Sequence, residues 1–182
     1  MSTDKPFIPL SIAVLTVSDT RSIDDDKSGS VLVARLEEAG HRLADRKIVR
    51  DEIEEIRNVV TAWCERDDVD VVITTGGTGF TGRDVTPEAL EPLFEKRMDG
   101  FSAVFHRISY DKIGVSTIQS RATGGVVAAT FVFALPGSPG ACRDGWDHIL
   151  KAQLDYRHKP CNFVEIMPRL DEHLRRGGGG NA

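Results

Sequence analysis

Three short stretches of the chain are almost continuously apolar and rich in β-branched residues: Ser11–Val17, Val69–Thr74 and Thr130–Leu135. Runs of this length that do not alternate with polar residues are those of strands buried on both faces of a parallel sheet. A fourth stretch, His41–Val49, is more polar and reads as a strand nearer an edge. Between these runs the period lengthens. Ser28–Ala39 carries the stripe Val31, Leu32, Leu36 and Ala39, with Gly40 where a C-terminal cap belongs. Glu52–Arg66 repeats Ile53, Ile56, Val59, Val60 and Trp63 at helical spacing. Pro87–Met98 reads as a helix ended by Gly100, Phe101–Tyr110 as a second amphipathic helix, and Ala141–Leu150 as a third. Strands alternating with helices predict an α/β fold, a three-layer αβα sandwich around a doubly wound, mostly parallel sheet. Residues 1–170 read as one domain. The tail 171–182, with its Gly177–Gly180 run, is expected to be partly disordered.

The chemistry lies where the strands end. The second apolar run opens into Thr75-Gly76-Gly77-Thr78-Gly79, followed by Thr81, Gly82, Arg83 and Asp84. Glycines there permit positive φ and close approach of a ligand, and free N–H groups suit an anion. Thr86-Pro87-Glu88 then reads as a helix start with a hydroxyl cap, proline at the first position and an acid in the first turn. The sequence contains neither Gly-x-Gly-x-x-Gly nor Lys-Ser/Thr after Gly-x4-Gly, so it lacks the dinucleotide fingerprint and the P-loop. The plainer alternative is a tight βα turn whose glycines serve only the turn. The other two apolar runs end in Ser18-Asp19 and in Pro136-Gly137-Ser138. Ligands of open α/β sheets bind beyond the carboxyl ends of the strands, so these three loops form one candidate pocket for a phosphorylated small molecule. Two acids border it. Asp84 is not needed as a cap if Thr86 supplies one, whereas Asp51, with Glu54 three residues on, also reads as a capping box. The run Asp24–Asp26 is either a solvated acidic loop or support for a cation.

Composition narrows the partners. A net charge of −5 and a pI near 5.5 argue against nucleic acid or an anionic membrane as a general partner. No apolar run approaches the roughly 20 residues of a membrane span, and the first residues lack the pattern of a signal peptide. The three cysteines contain no Cys-x-x-Cys and the five histidines show no ligand spacing, as expected of a cytoplasmic chain without a structural metal.

Thr75-Gly-Gly-Thr-Gly79 followed by Gly82-Arg-Asp-Val-Thr-Pro-Glu88 resembles the signature of the MoaB/MogA family of molybdenum cofactor biosynthesis proteins. The resemblance extends over about residues 8–165, and Arg157–Phe163 is similar to the MoaB branch in particular. It implies a MogA-like, molybdopterin-binding fold. It also implies adenylyl transfer from Mg-ATP to the terminal phosphate of molybdopterin, as in the family's catalytic members. Asp51 and Asp84 fall on the family's two important aspartates, as catalytic residues and ligands of Mg²⁺, with Asp26 a weaker third. Ser18, Asp19, Thr75, Gly76, Gly77, Thr78, Gly79, Ser120, Arg121, Pro136, Gly137 and Ser138 would line the substrate site. For Arg121 a sheet-edge or inter-subunit salt bridge is the competing reading. The resemblance further implies homotrimers or hexamers and contact with other proteins of the pathway. Two alternatives stand beside the enzyme. One is a molybdopterin-binding accessory protein without catalysis. The other is a CinA-like domain acting on pyridine nucleotides, from whose pattern the chain departs at Thr78.

Overall fold

The computed structural model describes residues 5–173. Strands β1 (Ser11–Val17), β2 (Arg42–Val49), β3 (Val71–Thr75), β4 (Lys96–Arg97), β5 (Thr123–Val127) and β6 (Thr130–Leu135) form a six-stranded sheet. Their order is β2-β1-β3-β6-β5-β4. β1 pairs in parallel with β2 and β3, and β3 with β6, while β5 and β4 extend the sheet antiparallel. The polar run does lie at an edge, as β2. Most of the expected tail, residues 174–182, falls outside the described residues.

Alternate residues of the central strands enter two separate cores. Ile12 and Val14 of β1 join Val71, Ile73, Phe131 and Phe133 beneath three helices: α1 (Lys27–Glu38), α4 (Asp99–Ile113) and α5 (Pro139–Gly145). The intervening Ala13, Leu15 and Val17 join Val72 and Val132 on the opposite face. There they meet Ile56, Val60 and Trp63 of α2 (Ile53–Cys64), and Ala89 and Leu90 of α3 (Thr86–Leu90). Each of these strands is therefore buried on both sides, which is why its sequence shows no polar alternation. The result is the expected three-layer sandwich. α5 runs on through a π-helical turn at Trp146–Leu150 into α6 (Lys151–Gln153), and α7 (Phe163–Ile166) follows.

Two local expectations change, and one hairpin was not anticipated. The helix expected over Pro87–Met98 stops after one turn at Leu90, passes through a 3₁₀ turn at Glu91–Leu93, and gives way to β4. Pro92 is the physical cause, since it has no N–H to donate back into the preceding turn. The carbonyls of Glu88 and Ala89 instead accept from Nη2 and Nε of Arg57, both at 3.0 Å. Gly100, expected to end that helix, sits in the first turn of α4. The β5–β6 hairpin was not legible, because its two-residue turn uses Ala128 and Ala129 at φ 44° and 63° in place of the usual Asn-Gly or Gly-Gly. Among the described residues no helix is long and apolar enough to cross a membrane.

Candidate functional site

The chain runs from β1 outward to β2 and then returns to the other side of β1 as β3. The order reverses at that point, so the loops beyond β1 and β3 splay apart and leave a crevice. Glycine lets the β3 loop turn within it. Gly76 adopts φ +103°, and a Cβ there would lie 2.2 Å from the Val17 carbonyl oxygen. A Cβ at Gly77, φ +63°, would meet Thr86 Oγ1 at 2.4 Å and Asp51 Oδ1 at 2.9 Å. The third wall comes equally close, since a Cβ at Gly137 would stand 3.1 Å from the Gly76 Cα. The loops beyond β1, β3 and β6 thus converge, and the turn after β2 brings in Asp51.

The carboxylates in this crevice differ in their surroundings. Asp51 is half-buried, and its carboxylate accepts from the Asp19 N–H but from no side chain among the described residues. Its own N–H donates to Asp19 Oδ1 at 3.2 Å. Burial, then the negative charges of Asp19 and Asp84, push its carboxyl above the ordinary value. It does not cap α2. The cap position belongs to Glu52, which makes no side-chain cap bond, and the nearby Glu55 accepts from the Arg50 N–H. The capping-box reading is therefore withdrawn. Asp84 shows the opposite displacement. Burial would raise it, but the Thr81 hydroxyl at 2.6 Å, the Thr81 N–H at 2.9 Å, the Gly79 N–H and the charge of Arg121 hold it below the ordinary value. Asp19 is held low chiefly by Arg83, whose Nε and Nη2 each donate to it at 2.9 Å while Nη1 reaches Glu52.

Several other expected residues build the crevice and have their polar atoms committed to that task. The Thr75 hydroxyl donates to the Pro136 carbonyl at 2.9 Å and touches the buried Cys142 sulfur, a thiol that burial pushes up to about 11. Ser18 Oγ accepts from the Arg21 N–H and closes its own turn, and Ser138 Oγ accepts from Ala141 N–H as the cap of α5. Thr86 does not cap α3. Its hydroxyl donates to Gly76 O at 2.8 Å, and its N–H to Gly77 O, pinning the glycine loop to the start of the helix. Arg121 does form an ion pair, with Glu88 of α3 and so not at a sheet edge. Nε donates to Gly79 O at 2.8 Å, Nη2 to Asp84 O at 2.9 Å and Nη1 pairs with Glu88, so the whole guanidinium clamps residues 79–88 from within. Its N–H binds the carbonyl of the buried Thr78. Ser120 Oγ is buried without a partner among the described residues, while the Ser120 carbonyl accepts from His106.

Asp26 is not part of a solvated run. It is 1% exposed and caps α1 through the Gly29 N–H at 2.9 Å. Its second oxygen accepts from Thr16 Oγ1 at 2.7 Å and Arg46 Nη2 at 2.9 Å. With both oxygens satisfied by the protein, it reads as a structural ion pair, and the expectation that it supports a cation is set aside. Two arginines outside the expected site residues contribute to the crevice. Arg83 ties the β3 loop to the β1 loop, and Arg21 binds Gly137 O at 3.0 Å and Ser28 Oγ at 3.1 Å, tying the β1 loop to the β6 loop. Arg83 stands within the Gly82-Arg-Asp-Val-Thr-Pro motif, whereas the only sign of Arg21 in the sequence was its place in a loop rich in acids and hydroxyls.

Known proteins share this architecture. A family model described as a probable molybdopterin binding domain matches residues 13–156. Molybdenum cofactor biosynthesis protein B of Escherichia coli K12 is 51% identical over 157 residues, covering 86% of this chain and 92% of the relative. A crystal structure of molybdenum cofactor biosynthesis protein B superposes with a TM-score of 0.83 at 38% identity, over 92% of this chain and 99% of the other. The tungsten cofactor synthesizing protein MoaB from Pyrococcus furiosus gives 0.71 at 36% identity, over 78% and 91% of the two chains.

Proposed function

Since the chain belongs to the MoaB/MogA family of molybdopterin-binding domains in molybdenum cofactor biosynthesis, we propose that it binds molybdopterin in the crevice beyond β1, β3 and β6 and adenylylates its terminal phosphate. The observation that carries the reading is a pair of carboxylates that flank the glycine loop, Asp51 against Gly77 and Asp84 against Gly79, and are displaced in opposite directions, Asp51 upward and Asp84 downward. In the transfer, an oxygen of the molybdopterin phosphate bonds to the α-phosphorus of ATP. The bond from that phosphorus to the β-phosphate oxygen breaks, and pyrophosphate leaves. Such a step needs alignment and charge neutralisation more than a covalent partner.

This chain's residues meet those needs separately. Gly76, Gly77 and Thr78 offer backbone close to the phosphates, and the clamp of Arg121 on Gly79, Asp84 and Glu88 keeps that backbone rigid. Asp51 makes no ion pair among the described residues, Arg83 being only a minor offset, and Asp84 is held ionised near it. Two phosphorylated substrates cannot approach these acids without a cation, and hard carboxylate oxygens suit Mg²⁺, which takes one or two carboxylates plus phosphate oxygens and water. Asp51 and Asp84 would hold it, and when bound it would neutralise the phosphate charge that builds in the transfer. The exposed apolar residues Ile113, Val115 and Ile118, the last two each 71% exposed, support a homotrimeric or hexameric assembly as part of the proposal.

The second reading, an accessory protein that binds molybdopterin without turnover, is favoured by the MoaB-like stretch Arg157–Phe163 and by the names of the relatives. Pyrophosphate release with Mg-ATP and molybdopterin, wild type beside Asp84→Asn, separates the two. Turnover lost in the variant supports the transferase. Tight molybdopterin binding without turnover in the wild type leaves the accessory role.

A further inference from the structure

Beside the crevice, and sharing Ser18 and Asp19 with it, a cleft of about 540 Å³ opens between the β1 loop and strand β2. The crevice is acidic, with Asp19, Asp51 and Asp84. The cleft is the reverse: it is lined by Arg21, Arg46, Lys47 and Arg50 against the carboxylates of Asp19 and Glu55, in a chain whose net charge is −5. These cations are not equally available. Arg46 is committed to Asp26 and Ser30, and Arg21 to Ser28 and Gly137. Asp19 is itself neutralised by Arg83. Lys47 is half exposed, and its nearest carboxylate, Asp45, is 3.9 Å away. The Arg50 side chain is exposed and meets no acceptor among the described residues, because only its backbone N–H is used, by Glu55. Arg50 therefore faces the cleft without a side-chain partner among the described residues, and Lys47, exposed and loosely paired with Asp45, adds a second positive charge, while Glu55 is met only by the Arg50 N–H.

We infer that this cleft receives the terminal phosphates of the nucleotide, with Arg50 and Lys47 as the residues that contact them. The inference rests on the adenylyl-transfer reading and extends it. A nucleoside triphosphate placed with its α-phosphorus at Asp51 and Asp84 has two further phosphates to accommodate. The acidic crevice repels them, and the adjoining cleft has both the matching charge and room for them. Arg50 directly precedes Asp51 in the chain, so the same turn after β2 presents the acid to the reacting centre and the cation to the departing pyrophosphate. An arginine fork suits two phosphate oxygens at once, while Lys47 acts as a point charge.

The test uses inorganic tripolyphosphate as the probe, titrated calorimetrically into the full chain without nucleotide. Wild type should bind it, Arg50→Ala should bind about tenfold more weakly, and Lys47→Ala with Arg50→Ala weaker still, with shallower salt dependence. Arg50→Lys should recover part of the loss, and AMP binding should be the same in all four proteins. Both side chains are exposed, so the unfolding midpoints should coincide. Equal tripolyphosphate binding by wild type and the double variant, or none by wild type, would overturn the inference. In the turnover assay, a raised KM for ATP with an unchanged KM for molybdopterin supports it. Turnover with an unchanged KM for ATP in the double variant removes the cleft while leaving the transferase. Tripolyphosphate binding that depends on Arg50 in a protein without turnover keeps the cleft and removes the transferase.

Discussion

Replacing Asp51 by Asn should make the protein more stable and less active. The carboxylate is half-buried, meets one backbone N–H, that of Asp19, and no side-chain donor among the described residues, and stands near two other carboxylates. Burial and then the charge of Asp19 work most against the ionised form, Asp84 adds to them, and the Asp19 N–H and Arg83 offset part of the total. Like-charge contacts in such partly solvated settings are worth about 0.2–1 kcal/mol, and a neutral amide of the same shape removes them. For a domain of this size, a gain of about 0.5–1 kcal/mol raises the melting temperature by roughly 1–4 °C. The pH dependence has a definite sign. The folded-state pKa of Asp51 lies above the unfolded value, so the ionised group lowers stability as pH rises from about 3.8 through the folded pKa, and the deficit is constant above that. The advantage of the variant should therefore be full at neutral pH and vanish below about pH 3.8. Thermal unfolding of both proteins at pH 3.5 and pH 7, in low and high salt, measures this directly. If Asp51→Asn instead lowers the midpoint by more than about 1 kcal/mol, the carboxylate holds the fold together and the argument that it is kept for chemistry fails.

Asp26→Ala should cost about 2–4 kcal/mol at pH 7, since it removes the α1 cap and leaves Arg46 and the Thr16 hydroxyl without their acceptor. Because the folded pKa of Asp26 is depressed, its contribution is present above about pH 3.8 and is lost as pH falls through the folded value, which a urea series against pH would show. Gly76→Ala should destabilise by about 3 kcal/mol or more, because the Val17 carbonyl stands 2.2 Å from the new methyl, whereas Gly82→Ala, with nothing within 4 Å, should stay within about 0.5 kcal/mol in the same denaturation assay. Arg121→Ala should cost roughly 1–2 kcal/mol and speed hydrogen exchange over residues 79–84, where its guanidinium now holds two carbonyls.

What the sequence revealed and what it concealed follow from how local each feature is. The strands β1, β3 and β6 could be read because burial on both faces favours apolar residues at successive positions, with only hydroxyl residues such as Thr16, Thr74 and Thr75 between them. Convergence of the three loops followed from strand ends alone, since the crevice is a property of topology. The β5–β6 hairpin escaped because Ala128 and Ala129 hold a turn that favours glycine or asparagine, and only the pairing of the flanking strands enforces it. The roles of Arg121 and Asp26 escaped for a related reason. Arg121 grips carbonyls and an acid 33 to 42 residues away, and Asp26 meets an arginine 20 residues on, separations at which no sequence period operates. An acidic run such as Asp24–Asp26 looks uniformly solvated until the fold selects one member for burial.

The measurement that bears most directly on the site is mass-spectrometric detection of adenylylated molybdopterin after incubating the protein with Mg-ATP and molybdopterin, with Asp51→Asn run in parallel and its folding and pterin binding verified. The account predicts product from the wild type and none from a variant that is at least as stable and still binds the pterin. Wild-type protein that binds molybdopterin and yields no product, or a variant that yields as much as the wild type, would contradict it.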